Sequence, residues 1–76
     1  MTELVALFAR YLVDEPGRVS VRERAAGEAR VAELSVARAD RGRVIGRGGR
    51  TAAALRTLVD AVAARRGERW TLEIRD

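Results

Sequence analysis

A short segment rich in glycine and arginine is the part of this sequence best suited to chemistry. Residues 41–50 read RGRVIGRGGR, with four glycines and four arginines. Because glycine has no Cβ atom, a ligand can come close to the backbone, and a helix that follows offers free N–H groups and the positive end of its dipole. Arginine pairs with phosphate through two parallel hydrogen bonds. These residue types therefore predict a loop that binds phosphate.

Two nucleotide-binding motifs are also rich in glycine, but the spacing of their glycines does not match this loop. A P-loop needs a second glycine five residues after the first, followed by Lys and then Ser or Thr. That position holds Arg47 when counting starts at Gly42, and Thr51 when it starts at Gly46. The dinucleotide fingerprint would need a third glycine where Thr51 stands. Both motifs also follow a strand, whereas this loop joins two predicted helices.

The pattern that remains is Gly-x-x-Gly over residues 46–49. Arg47 lies at the tip of the loop, and Arg43 and Arg50 flank it. Val44 and Ile45 come directly before the loop and offer an apolar floor for nucleic-acid bases. A tight turn with solvated arginines accounts for the glycines equally well, so the loop alone leaves both interpretations open.

Length and composition exclude several classes of protein. The chain has 76 residues, enough for one domain, and its 15 basic residues, all arginine, exceed its 11 acidic residues to give a net charge of +4. This excess weakly favours an anionic partner. The absence of histidine and cysteine removes imidazole bases, catalytic thiols, disulfides and cysteine-based zinc sites. We therefore expect no enzyme activity, no metal and no cofactor.

No segment predicts a membrane span or a targeting signal. The first apolar run, residues 4–9, is interrupted by Arg10 and has no basic leader. No stretch approaches the roughly 18 apolar residues of a span. The missing cysteines fit a reducing, cytoplasmic location.

Helices are predicted on both sides of the glycine-rich loop and at the start of the chain. The first helix, over residues 3–13, is expected to pack through an apolar stripe made of Leu4, Leu7, Phe8, Tyr11 and Leu12. Thr2 is its predicted N-cap, and Pro16-Gly17 stops it. A short helix over Arg41–Ile45 is expected to be capped by Asp40.

The longest predicted helix follows the loop over residues 50–65 and ends at Gly67. Its expected core stripe consists of Leu55, Leu58, Val59 and Val62. Its opposite face carries mostly small residues, namely Ala53, Thr57, Asp60 and Ala64. Small residues allow close approach of another surface, so we expect this face to be either an interface or simply a face of good helix formers.

Alternating apolar residues predict three strands, over residues 18–24, 29–38 and 69–75. A turn at residues 26–28 makes the first two an antiparallel hairpin. The inward side chains are Val19, Val21, Ala32, Leu34, Val36, Trp70, Leu72 and Ile74. Since Trp70, Tyr11 and Phe8 all lie on apolar stripes, we expect them in the core rather than stacked on bases. The order α-β-β-α-α-β predicts an α+β fold with a three-stranded sheet covered on one face by three helices.

The sequence around the loop resembles the signature of KH domains. It reads Val44-Ile45-Gly46-x-x-Gly49-Arg50, follows Asp40-x-Gly42 and precedes a long helix. KH domains clamp about four nucleotides of single-stranded nucleic acid with this loop, and the element order is similar to the type II, prokaryotic form. Residues 12–16, 55–59 and 72–74 extend the similarity to the family of small bacterial KH proteins called KhpA.

This resemblance implies a single type II KH domain over residues 1–76, binding single-stranded RNA without enzyme activity. The loop Gly46–Gly49 would hold the RNA backbone, the arginines would supply charge, and the second strand around Leu34–Val36 would help line the base groove. The expected RNA-binding residues are Leu34, Val36, Arg41, Arg43, Val44, Ile45, Gly46, Arg47, Gly48, Gly49 and Arg50.

The family resemblance also implies partners and a cellular role. It predicts a cytoplasmic RNA chaperone or post-transcriptional regulator that acts with a second KH protein of the KhpB (Jag) type, with links to cell-wall homeostasis and cell length. A homodimer is the other expected assembly. The competing hypothesis is a protein-interaction module whose RNA affinity is incidental.

Overall fold

The computed structural model describes residues 1–75 and shows the predicted order of elements. Its helices are α1 (Thr2–Leu12), α2 (Arg41–Ile45) and α3 (Arg50–Arg66), and its strands are β1 (Ser20–Ala26), β2 (Ala29–Ser35) and β3 (Trp70–Ile74). Short 3-10 turns cover Pro16–Arg18, Arg38–Asp40 and Arg47–Gly49. None of the helices within residues 1–75 combines the length and apolar character needed to cross a membrane.

The strands form one mixed sheet in the order β1-β2-β3. β1 and β2 make the predicted antiparallel hairpin, in which Ala26 pairs with Ala29 across a two-residue turn. β2 and β3 are parallel, with Ala32 opposite Leu72. Parallel neighbours need a crossover connection, and α2, the glycine-rich loop and α3 form it. The loop therefore connects two helices that are both packed against the domain.

The core lies between one face of this sheet and all three helices, which confirms the predicted layers. Its buried members include Val5, Ala9, Ala32, Leu34, Val44, Leu55, Val59, Trp70 and Leu72. α2 contributes a single core residue, Val44, which has no exposed surface. That one side chain fixes the short helix, and hence the start of the loop, against the domain.

The packed face of α1 differs from the predicted one. The buried residues are Val5, Ala6 and Ala9, whereas Leu7, Phe8 and Tyr11 are 49%, 40% and 82% exposed. The prediction that Phe8 and Tyr11 belong to the core is wrong, while Trp70, 6% exposed, is confirmed there. The physical reason is that α1 is apolar nearly all round, so two faces have helical spacing. The face with small side chains allows closer packing on the sheet.

Several boundaries also differ from their predictions. β1 begins two residues later than expected, at Ser20, and β2 ends at Ser35, so Val36 lies outside the strand. Ser35 pairs with Ser20, the first residue of β1, and the chain before Ser20 is a 3-10 turn near Pro16 that offers no strand to pair with. Thr2 is the first residue of α1 rather than its cap.

α3 packs through Ala52, Leu55, Val59 and Ala63. The predicted core residues Leu58 and Val62 are only half-buried. The predicted stop at Gly67 is confirmed: its N–H donates to the Ala64 carbonyl at 3.2 Å, and the Glu68 N–H donates to the Ala63 carbonyl at 2.9 Å. This pair of bonds is the Schellman ending that glycine favours.

The face of the sheet that no helix covers carries an ion-pair network. Arg24 donates from Nε to Glu33 at 2.8 Å and from Nη2 to Glu73 at 3.0 Å. The hydrogen bond from Arg24 lowers the pKa of Glu33 despite the opposing effect of desolvation. The same bond raises the pKa of Arg24. Both groups therefore stay charged and hold the three strands together on this face.

Candidate nucleic-acid interface

The glycine-rich loop adopts a backbone that only glycine accommodates easily. α2 ends where the Gly46 N–H donates to the Gly42 carbonyl at 2.9 Å, and the Gly49 N–H then donates to the Gly46 carbonyl at 3.1 Å. The dihedral φ is positive at Gly46 (77°), Gly48 (64°) and Gly49 (77°). The chain thus reverses within four residues and enters α3 at Arg50. The Arg50 N–H donates to the Arg47 carbonyl. The N–H groups that follow it in the first turn of α3 have no acceptor within the helix, so this end of α3 favours an anion.

Gly46 is the most constrained residue of the loop. Its φ of 77° and ψ of 169° fall in a region that is essentially restricted to glycine. A Cβ atom added there would collide with the Thr51 hydroxyl and would lie 2.7 Å from the Thr51 Cβ and 2.8 Å from its backbone nitrogen. Gly46 therefore sets how closely the loop folds back onto the first turn of α3.

We expect Gly46→Ala to destabilise the protein by about 2–4 kcal/mol, since it combines backbone strain with overpacking. Gly48→Ala is the matched control. Gly48 also has a positive φ, but no heavy atom lies within 4 Å of an added Cβ, so strain alone should cost about 1–2 kcal/mol. Urea unfolding of the two variants measures the difference, and equal losses would contradict the close contact with Thr51.

The arginines around the loop are not equivalent. Arg43, Arg47 and Arg50 are exposed, while Arg41 is half-buried. Arg43 already forms an ion pair with Asp14 at 3.0 Å and lies 3.9 Å from Asp40. Within residues 1–75, neither Arg47 nor Arg50 has an ion-pair partner. Arg47 and Arg50 therefore present the unneutralised positive charge of the loop.

Asp40 anchors the segment that leads into the loop. It is 2% exposed, and its carboxylate accepts hydrogen bonds from the N–H groups of Asp14 at 3.2 Å and Glu15 at 3.1 Å. It occupies the predicted cap position of α2 but accepts no capping hydrogen bond from the backbone of that helix. The two bonds instead tie the chain after α1 to the start of α2. The sequence predicts the position of Asp40 before α2, but only the tertiary structure shows that its partners are the N–H groups of Asp14 and Glu15.

The predicted apolar floor is only partly at the surface. Leu34 and Val44 have no exposed surface, so their side chains cannot contact a base and instead support the site from the core. Ile45 is 41% exposed, and Val36 is half-buried in the segment after β2. Of the four predicted apolar residues, Ile45 and Val36 are therefore the two that keep surface available for contact.

The features that the loop brings together are those of a binding site. Residues 1–75 contain no group of three or more His, Cys, Asp or Glu side chains placed to hold a metal ion. The loop instead combines a backbone that a ligand can approach closely, the start of a helix, and two arginines that have no ion-pair partner within residues 1–75. This combination suits the sugar-phosphate backbone of a nucleic acid.

Comparison with known protein families gives one match that spans the chain. The family model described as "KhpA/KhpB, KH domain" matches residues 2–74. This range includes the whole loop, the anchor Asp40 and all helices and strands. No solved structure matched the chain.

Several curated relatives are similar over nearly their whole length. The chain is 47% identical over 74 residues to the RNA-binding protein KhpA of Treponema pallidum, covering 97% of this chain and 92% of the relative. It is 46% identical to RNA-binding protein KhpA of Caldanaerobacter subterraneus, covering 97% of this chain and 99% of the relative. The protein of the same name from Clostridium perfringens is 43% identical with the same coverage.

Proposed function

The chain belongs to the KhpA/KhpB family of KH domains, and from this premise we propose that it binds single-stranded RNA through the loop Gly46–Gly49. The observation that carries the proposal is the pairing of a positive-φ glycine backbone with Arg47 and Arg50, which have no ion-pair partner within residues 1–75. The names of its relatives, which state RNA binding, support the same function.

RNA would lie with its phosphates against the loop and its bases over the neighbouring apolar surface. The free N–H groups at the start of α3 and the charges of Arg47 and Arg50 hold phosphates. Ile45 and Val36 contact bases, and Leu34 and Val44 support them from beneath. Arg43 can bind phosphate only by giving up its ion pair with Asp14. It therefore contributes less binding free energy than an arginine that has no such pair to break. Arg41 borders the site at the start of α2.

A single KH groove contacts only about four nucleotides, so useful affinity requires a second RNA-binding module held nearby. A second KH protein of the KhpB type supplies that module, or a second copy of this chain does. In this proposal the protein is a non-enzymatic, cytoplasmic RNA chaperone or post-transcriptional regulator. The links to cell-wall homeostasis and cell length follow from the family resemblance alone.

Crosslinking to RNA in living cells tests the function directly. Ultraviolet light should crosslink RNA to the unaltered protein. The double substitution Arg47→Asp with Gly48→Asp should remove most of the crosslinked RNA. Sequencing the attached RNA then identifies the targets. If the unaltered protein recovers a protein partner but no RNA, the chain is an interaction module and the proposal is wrong.

The outer face of α3 is the proposed contact for a KhpB-type partner or for a second copy of this chain. Ala53, Thr57, Asp60 and Ala64 are all exposed there. We expect Thr57→Arg to weaken partner recovery in a pull-down at least about tenfold, because a long charged side chain prevents close approach. Thr71→Arg, which alters an exposed threonine of β3, should leave recovery unchanged. Equal recovery with both variants would exclude this face.

A further inference from the structure

Tyr11 is the most exposed of the large apolar side chains within residues 1–75. It is 82% exposed, compared with 49% for Leu7 and 40% for Phe8 on the same helix. Tyr11 comes two residues after Ala9, which has no exposed surface, and two residues of an α-helix turn through about 200°. The ring therefore projects from α1 almost directly away from the core. It contributes nothing to the packing of the domain and is available for contact with a ligand.

The C-terminal end of α1, which carries Tyr11, is tied to the segment that leads into the loop. Three residues after Tyr11, the Asp14 N–H donates to the Asp40 carboxylate at 3.2 Å, and the Asp14 carboxylate pairs with Arg43 at 3.0 Å. Three residues of chain span at most about 11 Å. Arg43 in turn precedes Gly46 by less than one turn of α2. Asp14 and Arg43 thus connect the exposed ring to the loop.

We infer that the Tyr11 ring stacks on a base of the RNA strand just outside the nucleotides that the loop holds. The inference rests on the proposed function and adds to it a contact that the loop does not supply. Aromatic side chains bind single strands in this way because every base has a π face. Arg43 binds the intervening phosphate after releasing Asp14. Both side chains of that ion pair are more than half exposed, so the exchange costs little.

Other ligands fit Tyr11 less well than RNA does. An anionic lipid surface favours several basic residues beside an apolar helix face, and α1 has one, Arg10. Tyrosine is also common in protein interfaces, but the contacts of Asp14 lead from Tyr11 to Arg43 and the loop, where RNA is expected. Stacking also meets a need of this site. A clamp on about four nucleotides is short, and one more bound base raises its affinity.

The dependence of affinity on RNA length tests the inference. Fluorescence anisotropy compares labelled RNAs of randomised sequence that are about four nucleotides long, which the loop alone fills, with RNAs about twice that length. Tyr11→Ala should weaken binding of the longer RNA at least about fivefold and leave the shorter one unchanged. Tyr11→Trp should keep the affinity, whereas Tyr11→Leu, which is apolar but has no ring, should behave like the alanine variant. Unchanged binding of both RNAs by Tyr11→Ala would overturn the inference.

Two further variants serve as references. Leu7→Ala is the matched control, because Leu7 is also exposed on α1 but lies about 6 Å nearer the N-terminal end of the helix and has no ring; it should bind both RNAs normally. Arg47→Asp with Gly48→Asp should lose both RNAs. If that loop variant loses both while Tyr11→Ala loses neither, the proposed function stands and the stacking is wrong. If Tyr11→Ala impairs recovery of a protein partner and not RNA binding, the ring belongs to a protein interface and the inference fails.

Two measurements distinguish stacking from an indirect role of the ring. Tyr11 is the only tyrosine of the chain, so its ring protons give one set of NMR signals. These signals should shift upfield on titration with the longer RNA and stay in place with the shorter one. The loss of affinity in Tyr11→Ala should also be similar at about 50 and 200 mM salt, because stacking releases no counterions from phosphate. Unshifted ring signals, or a loss that disappears at the higher salt concentration, would contradict stacking.

Discussion

The double substitution Arg47→Asp with Gly48→Asp is expected to abolish binding of single-stranded RNA and to leave the fold intact. It changes the charge at the tip of the loop by three units and places two carboxylates where phosphate would lie. The fold should tolerate the change because both residues are exposed and an added Cβ at Gly48 has no heavy atom within 4 Å. Aspartate also enters the left-handed region more readily than most residues.

The chain offers a closely matched control at the other end of α3. Arg66 and Gly67 repeat the dipeptide Arg-Gly; both are exposed, and Gly67 has a φ of 66° with open space around an added Cβ. Arg66→Asp with Gly67→Asp therefore makes the same change about 25 Å away along the helix. Fluorescence anisotropy should show RNA binding lost in the loop variant and nearly retained in the control. Equal loss in both would mean that overall charge, rather than the loop, holds RNA.

The features that the sequence predicts well are those with strict local requirements. Gly46, Gly48 and Gly49 share positive φ values, which few other residues adopt, so their pattern marks the loop directly. Gly67 ends α3 for the same reason. Pro16 comes four residues after the last residue of α1, and by disfavouring helical geometry at Glu15 it keeps the helix from continuing through this segment. The alternation of apolar and polar residues predicts β3 equally well, since Trp70 and Leu72 are buried between exposed neighbours.

The features that the sequence does not predict depend on packing between elements. α1 has two faces with helical spacing, and only contact with the sheet selects Val5 and Ala9 over Leu7 and Phe8. Val44 precedes the loop like Ile45, yet one is buried and the other 41% exposed, because only the face of α2 that carries Val44 packs against the core.

Binding to single-stranded RNA is expected to weaken with salt only moderately. A clamp on about four nucleotides neutralises roughly three to four phosphates, and each contributes about −0.7 to the slope of log affinity against log salt for single strands. The slope is therefore about −2 to −3, which corresponds to a roughly 20- to 50-fold loss of affinity between 50 and 200 mM salt. Because Arg43 is already neutralised by Asp14 at 3.0 Å, we expect the shallower end of this range.

A duplex of the same sequence is the matched comparison. Bases stacked inside a helix cannot reach Ile45, so the loop should favour the single strand. Diffuse attraction by all 15 arginines would instead give similar affinity for both forms and a steeper slope. Anisotropy titrations of labelled single-stranded and duplex RNA at several salt concentrations separate the two mechanisms. Equal affinities with a slope well beyond about −4 would identify a generic basic surface, because the loop alone contacts too few phosphates to produce it.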